Sequence, residues 1–270
     1  MDIEFFQVFI LLGAGCIAGF VGGLFGVGGG FIVVPVLFNL FQHFGISQDI
    51  SMHLAVGSSL AIILPTSAMS CWSHHKRGSV DFGRFRKIAP ACFIGVILGA
   101  IVASYLSAVG LASVFGITGI AMGLWMLMGK NEKRQQTPSS SPLVPWIGGS
   151  GIGMLSSMVG IGGGAYSVMV LSFMGAKIHL AVGTASAMAL VVTLPGAIGF
   201  MVSGWQIAGL PPFSLGYVNL MAVACIIPAS IVFSPLGVRT AHYFSPVLLQ
   251  RLFALFMIGV SIRMLYSVYI

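Results

Sequence analysis

The stretch GGLFGVGGGFIVVP, residues 22–35, contains six glycines in its first nine positions and no charged residue. It stands inside a run that is almost free of charge. Each glycine weakens an α-helix by about 1 kcal/mol relative to alanine. Within a lipid bilayer, a non-helical backbone persists only where protein buries it or where it lines a wet cavity. The stretch therefore predicts a break in a membrane-embedded helix.

The composition is that of a membrane protein. Of the 270 residues, 57% are hydrophobic and 6% are charged, whereas a soluble domain carries about 25% charged residues. Long apolar segments recur from end to end, which favours an all-α polytopic membrane protein in a lipid bilayer over a β-barrel. The net charge of +7 comes from basic residues between the apolar segments, where they report topology. No nucleic-acid partner is expected.

The two halves of the chain resemble each other. Residues 25–30 (FGVGGG) match residues 159–164 (VGIGGG), and residues 53–58 (HLAVGS) match residues 179–184 (HLAVGT). Two shorter matches follow in the same order, Leu64-Pro65 with Leu194-Pro195 and Leu98-Gly99 with Leu236-Gly237. This order indicates an internal duplication, which is how many transporters are built. We divide the chain into a first membrane repeat (1–129), a polar linker (130–143) and a second membrane repeat (144–270).

Each half contains five apolar pieces. They cover residues 5–23, 27–42, 52–75, 86–107 and 110–129 in the first half, and residues 145–158, 161–175, 180–203, 213–234 and 246–268 in the second. The last three of each half are long enough for a ~30 Å hydrocarbon core, which needs about 20 helical residues. The first two of the second half offer about 14 residues each, too short to cross separately. We predict that the first two pieces of each half form a broken, re-entrant helical hairpin that turns at the glycines.

The basic residues favour halves of opposite orientation. Three spans and one hairpin give an odd number of crossings, so the second half is inverted relative to the first. With the basic loop 76–87 in the cytoplasm, the linker, Lys177 and Arg239 also face the cytoplasm, and ten of the twelve basic residues fall inside. This distribution follows the positive-inside rule. It predicts two inverted-topology repeats with both termini outside.

Inversion would bring the two glycine turns together in the middle of the membrane. A glycine turn leaves the first N–H groups of the following helix unpaired, and that helix end carries partial positive charge, so an anion can bind there. The candidate substrate-binding residues are the glycines of both turns and four hydroxyl-bearing residues that follow them: Gly26, Gly28, Gly29, Gly30, Gly160, Gly162, Gly163, Gly164, Ser58, Ser59, Thr184 and Ser186. The alternatives are close helix packing for the glycines and hydrogen bonds between helices for the hydroxyls.

Two further pairs of residues occupy matching positions. His53 and His179 stand at helix starts and are candidates for proton coupling, or for interfacial positions. Pro65 and Pro195 predict kinks that act as hinges or are merely bends. The five acidic residues fall at the N-terminus or in loops, so no buried carboxylate is available for a proton relay or a cation. An anionic or neutral substrate fits, and no metal or cofactor is expected.

No enzyme is expected from the motifs of the chain. It lacks HExxH, GxSxG and GxxxxGK[ST], and it has no paired intramembrane aspartates. The glycine runs do not follow a strand, which argues against a dinucleotide site.

Three stretches carry a family resemblance: residues 22–37 (GGLFGVGGGFIVVPVL), residues 53–65 (HLAVGSSLAIILP) and a second GIGGG at residues 160–164. Together they resemble the sulfite exporter TauE/SafE family, over essentially the whole chain. The resemblance implies a bacterial or archaeal inner-membrane transporter for a small anion such as sulfite, sulfoacetate or thiosulfate. The family's glycine motif falls on the eight glycines named above. The second repeat departs from the first, since Leu194-Pro195 lies four residues later than Leu64-Pro65 relative to its HLAVG motif.

The sequence thus predicts a secondary transporter that exports a small anion, a sulfur oxyanion or a sulfonate, by alternating access around a midplane site. With the membrane potential negative inside, exit of a monovalent anion is favoured by about 2.3 kcal/mol per 100 mV, so export needs no coupling ion. The main alternative is an anion channel on the same scaffold, and a weaker one is a noncatalytic membrane scaffold. The oligomeric state is left open.

Overall fold

The computed structural model describes residues 5–25, 30–128, 143–241 and 243–269, and within them the chain forms ten helices and one short hairpin. The first half contains α1 (Phe5–Phe25), α2 (Gly30–His43), α3 (Gln48–Lys76), α4 (Phe82–Tyr105) and α5 (Ala108–Met128). The second half contains α6 (Leu143–Val159), α7 (Gly164–Phe173), α8 (Ile178–Ser203), β1 (Ser214–Leu215), β2 (Val218–Asn219), α9 (Leu220–Ala241) and α10 (Pro246–Tyr269). The two strands pair antiparallel, with Ser214 opposite Asn219.

Six of the described helices are long and apolar enough to cross a bilayer, namely α3, α4, α5, α8, α9 and α10. They are the last three helices of each half, as the apolar pieces predict, and the all-α polytopic membrane fold is confirmed. By contrast, α2, α6 and α7 have 14, 17 and 10 residues. At 1.5 Å per residue, α7 is only about 15 Å long. The re-entrant course of the hairpins stays a prediction.

Two helices do not start where the apolar pieces begin: α4 starts earlier and α9 starts later, each behind a capping side chain. α4 begins at Phe82 rather than at 86, since Asp81 Oδ1 accepts the Arg84 N–H at 3.0 Å. α9 begins at Leu220 rather than at 213, since the preceding residues form the β1–β2 hairpin. There Asn219 Oδ1 accepts the Ala222 N–H at 2.8 Å. An Asp or Asn cap thus opens the fourth helix of each half.

Glycines allow α1 to lie directly against α9. Gly15 lies against Ala229, and a Cβ placed on Gly19 would meet the Ser230 backbone. Residue numbers rise together along the two helices, so α1 and α9 run parallel. Since lipid tails give helices no hydrophobic reason to associate, close van der Waals packing at small residues holds such a seam together.

The seam between α6 and α4 repeats this arrangement. Gly149 lies against Ile88, and Gly153 lies against Val96, so these helices also run parallel. In each half, therefore, the first helix packs on the fourth helix of the other half. The two halves are interlocked rather than laid side by side.

The equivalent helices of the two halves pair antiparallel. In the centre, Gly57 of α3 lies against Phe200 of α8, and Leu60 lies against Gly196. Residues 51–60 of α3 are all buried.

The last helices pair in the same way, because Gly116 of α5 lies against Leu265 of α10 and Gly123 lies against Ile258. These two pairs support the predicted inversion of the repeats, which stays a prediction. So does the division into 1–129, 130–143 and 144–270, and residues 129–142 lie outside the described residues.

Candidate anion site

The second glycine motif interrupts the helical path. α6 ends at Val159 and α7 begins at Gly164, so Ile161 lies in the turn between them. Gly160 and Gly163 have φ angles of +76° and +70°. These are left-handed conformations, which cost a residue with a side chain about 1–2 kcal/mol. The turn therefore depends on glycine at both positions.

The turn lies against the start of α2, where the first glycine motif ends. A Cβ atom placed on Gly30 would lie 2.6 Å from Ile161 Cγ2, and one placed on Gly160 would lie 2.8 Å from Val34 Cγ2. The Ser59 hydroxyl of α3 donates to the Gly160 carbonyl at 2.7 Å. Gly26, Gly28 and Gly29 lie outside the described residues. Gly30 is thus the described member of the first motif, and it touches the second.

The start of α7 presents a row of backbone donors. Gly160 and Ile161 donate their N–H groups to the Ser156 carbonyl, and the Ser167 N–H donates to the Gly163 carbonyl at 2.8 Å. Between them, the N–H groups of residues 162–166 have no recorded acceptor in the part of the chain that the structure describes. Free amides at the N-terminus of a helix, at the positive end of its dipole, favour an anion.

Two buried hydroxyls accompany these amides. Ser156, in the last turn of α6, and Ser167, in the first turn of α7, have no exposed surface. Among the described residues, neither hydroxyl has a hydrogen-bond partner. The Ser156 Oγ lies 2.9 Å from the position that a Cβ on Gly163 would occupy. A buried polar group without a partner is costly, and a bound ligand would satisfy it.

Comparing the sequences of the two halves does not single out these serines. Their counterparts in the first repeat are Gly22 and Val33, which carry no hydroxyl. The signal that could have revealed them is local, since Ser156 and Ser167 stand on either side of the glycine motif.

The described atoms beside Gly162 and Gly163 are mostly apolar. A Cβ on Gly162 would lie 3.0 Å from Ile63 Cγ2, and a Cβ on Gly163 would lie 3.2 Å from Val192 Cγ2. No described atom lies within 4 Å of the Cβ position at Gly164. The first residue of α7 therefore faces space next to the row of amides.

The four hydroxyls singled out in the sequence have partners within the protein. Ser59 donates to the glycine turn itself, and Ser186 donates to the Gly183 carbonyl at 2.6 Å. Ser58 Oγ accepts the Asn219 N–H, and Thr184 Oγ1 accepts the Asp81 N–H, both at 2.9 Å. Their role in substrate binding stays a prediction.

The contacts of Ser58 and Thr184 mark two docked loops. Loop 204–219 lies on α3, where a Cβ on Gly57 would collide with the Tyr217 carbonyl oxygen. Loop 77–81 lies on α8, where a Cβ on Gly183 would collide with the Ser79 carbonyl oxygen. Each loop thus covers the equivalent helix of the opposite half at the same motif.

An ion pair fixes the second of these loops. The backbone N–H and the guanidinium of Arg84 both bind Asp81. Chiefly through the backbone N–H, they hold the pKa of that carboxyl below its usual value.

The paired histidines and prolines are not equivalent in the structure. His53 is buried, with its ring between two backbone carbonyls, whereas His179 is exposed. Pro65 and Pro195 lie inside α3 and α8, which continue through them. Their predicted roles in coupling and as hinges stay predictions. Among the described residues, no group of three His, Cys, Asp or Glu could hold a metal ion.

Curated proteins similar to this chain carry transporter names. It is 34% identical over 257 residues to a probable membrane transporter protein of Haemophilus influenzae, which covers 95% of this chain and 97% of that one. It is 28% identical over 250 residues to a probable membrane transporter protein of Methanocaldococcus jannaschii, 91% of each chain. It is 27% identical over 219 residues to the probable membrane transporter protein YunE of Bacillus subtilis, 72% of this chain and 78% of that one. No solved structure matches the chain.

The family assignment agrees with the break between α6 and α7 and with the six spans. Residues 11–264 match the family described as sulfite exporter TauE/SafE, with the glycine turn and both docked loops inside the matched region. The chain is a multi-pass membrane protein, and it belongs to the sulfite exporter TauE/SafE family.

Proposed function

We propose that this membrane transporter is a secondary exporter of a small anion, a sulfur oxyanion or a sulfonate such as sulfite, sulfoacetate or thiosulfate. The observation that carries the proposal is the row of amides at the start of α7, flanked in the chain by Ser156 and Ser167. Among the described residues, neither these amides nor these two hydroxyls have a hydrogen-bond partner. Amides and hydroxyls supply hydrogen-bond donors without a fixed positive charge, so they hold an oxyanion and still release it. The turn at residues 160–163, to which Ser59 donates a hydrogen bond, completes the site.

The surroundings favour an anion over a cation. None of the residues that form the turn or its wall is acidic, and the described carboxylates, Asp49 and Asp81, lie at the starts of α3 and α4. A cation at this place would face the positive end of the α7 dipole. The family described as a sulfite exporter supplies the class of anion.

The contacts between the two halves support alternating access as the transport mechanism. The site lies where α2, α3, α6 and α7 meet, and each docked loop covers one end of the central pair α3 and α8. Rocking one half against the other would lift one loop while the other stays docked. We further propose that loop 77–81 and the linker face the cytoplasm of a bacterial or archaeal cell and that both termini lie outside.

Flux measurements in proteoliposomes test the site. We expect Ser156→Ala and Ser167→Ala each to raise the KM for sulfite or sulfoacetate about ten- to hundredfold, since a hydrogen bond to a charged group contributes about 1.5–3 kcal/mol. Ser157→Ala is the matched control, because Ser157 is equally buried but donates to the Met154 carbonyl of its own helix. Unchanged KM values in both test variants would argue against this site.

A channel on the same scaffold remains the second candidate, and exchange kinetics separate the two. A carrier with alternating access shows counterflow, so unlabelled anion outside accelerates the exit of labelled anion. A channel shows single-channel currents and no such acceleration. We expect counterflow, because each docked loop covers one end of the central helices α3 and α8.

A further inference from the structure

His53 lies one turn inside α3, where it joins three elements of the fold. Its side chain is 5% exposed. Nδ1 lies 2.8 Å from the Asp49 carbonyl oxygen of its own helix, and Nε2 lies 3.0 Å from the Ala103 carbonyl oxygen of α4. The ring stacks on Tyr217 of loop 204–219, with centroids 4.9 Å apart.

Both oxygens beside the ring are backbone carbonyls, which accept hydrogen bonds and cannot donate. A neutral imidazole carries a proton on one nitrogen and a lone pair on the other. In the neutral form, therefore, one ring nitrogen of His53 would turn its lone pair toward a carbonyl oxygen. The imidazolium, which donates from both nitrogens, satisfies both contacts.

Three groups beside the His53 ring are of kinds that contact cations in proteins. Ala103 lies in the last turn of α4, so its carbonyl is at the negative end of the helix dipole. The face of the Tyr217 ring attracts a cation. The Asp49 carboxylate stands one helical turn before His53, and its Oδ1 accepts the Ala108 N–H at 3.3 Å.

No other titratable side chain competes at this place in the described chain. Burial, with Asp49 adding to it, raises the pKa of the Tyr217 phenol, which therefore stays neutral. Tyr105 follows on α4, but its side chain is 86% exposed, and His43 at the end of α2 is also exposed. The adjoining residues 196–203 of α8 and 218–224, which cover β2 and the start of α9, contain no titratable group.

We propose that His53 is a proton-binding site that holds loop 204–219 in its docked position. The proton enters from the aqueous phase on that face and lets the ring bridge α3, the end of α4 and the loop. When the face opens, the proton returns to the same phase, because a neutral ring repels one of the two carbonyls. The inference goes beyond the proposed anion site, which needs no proton.

NMR spectroscopy on the full chain tests the proton directly. We expect one histidine, in protein with isotopically labelled histidine in lipid nanodiscs at neutral pH, to carry protons on both ring nitrogens, protected from exchange with water. Its signal should be absent from the His53→Gln variant. If that variant does not fold, Tyr217→Leu should shift this signal alone. A His53 signal with a single ring proton would overturn the proposal.

The pH dependence of anion flux tests the consequence, and His179→Gln is the matched control. His179 has the equivalent sequence position but is exposed, with none of the contacts of His53 among the described residues. Between about pH 5 and about pH 8, we expect the wild type and His179→Gln to change rate and His53→Gln to lose that change. A His53→Gln variant with the wild-type pH profile would contradict the proposal.

The two readouts separate this inference from the proposed function. The NMR measurement needs no substrate, so a doubly protonated His53 without any flux would refute the anion transporter and leave the proton site standing. Flux with a singly protonated His53 would refute the proton site and leave the transporter standing.

Discussion

At Gly160 and Gly163 the backbone takes angles that a residue with a side chain adopts only under strain, and neighbouring atoms occupy the place of a methyl group. The Cβ of an alanine at Gly160 would lie 3.0 Å from Val56 Cα, and that backbone cannot move aside easily. These two glycines are therefore structural requirements of the turn, whether or not an anion is bound. Their neighbour Gly164 differs, because space surrounds its Cβ position.

Alanine substitutions distinguish these positions. We expect Gly160→Ala to lower the free energy of unfolding by about 2 kcal/mol or more, because about 1–2 kcal/mol of left-handed strain adds to the cost of overpacking. Gly164→Ala should change it by less than about 0.5 kcal/mol. Thermal or denaturant unfolding in detergent measures both. Equal losses at the two positions would contradict the geometry of the turn.

The sequence predicted glycines and hydroxyls for the binding site, a prediction that stays open, and it did not single out Ser156 or Ser167. It drew attention to Ser58, Thr184 and the glycines because they recur in both halves. A motif that recurs in both halves does not show which groups its side chains bond to. The hydrogen-bond partners of Ser58 and Thr184 are backbone amides more than 100 residues away in the chain. Ser156 and Ser167 escaped notice for the opposite reason, since they occur in one half alone.

Among the elements, the two docked loops require glycine at their contacts with α3 and α8. The Ser79 carbonyl approaches Gly183 so closely that any side chain there must displace loop 77–81. Thr184 Oγ1, on the next residue, accepts the Asp81 N–H, so the same displacement breaks this hydrogen bond. The loop and the start of α8 are thus positioned as one unit.

Proteolysis measures the docking of loop 77–81. We expect Gly183→Ala to increase the rate of tryptic cleavage after Lys76 or Arg77 several-fold, because the displaced loop becomes accessible to the protease. Gly151→Ala is the control, since no described atom lies within 4 Å of its Cβ position in α6. Mass spectrometry of the fragments identifies the cleaved bonds. Cleavage at the wild-type rate in Gly183→Ala would show that the loop is not held there.

Helix identity followed from the sequence, whereas helix ends did not. Hydropathy and length were enough to predict the six spans, because a bilayer imposes both. The starts of α4 and α9 depended on the caps Asp81 and Asn219, which apolar periodicity does not register. The β1–β2 hairpin takes up the first residues of the apolar piece 213–234, which hydropathy does not distinguish from a helix.

At the scale of the molecule, the two halves exchange contacts through elements in the same order. The first helix of each half packs on the fourth of the other, each loop docks on the third helix of the other, and the third and fifth helices pair with their own counterparts. Repeat matching predicted that the halves are related, but it could not predict this interlocking. The contacts between the halves depend on side-chain volumes along several helix seams at once. A motif of a few residues therefore does not predict these contacts.

The orientation of the halves in the membrane is decided by labelling two equivalent loops. Each variant adds one cysteine at an exposed position, either His75→Cys beside loop 77–81 or Ala208→Cys in loop 204–219. Both substitutions leave every Lys and Arg in place. Because the third helices α3 and α8 run antiparallel, we expect a membrane-impermeant maleimide to label Ala208→Cys in intact cells and His75→Cys only after permeabilisation. Wild-type protein, with its own four cysteines, gives the background. Labelling of both variants from the same side would mean parallel repeats, and would remove the physical basis for two glycine turns that meet from opposite faces of the bilayer.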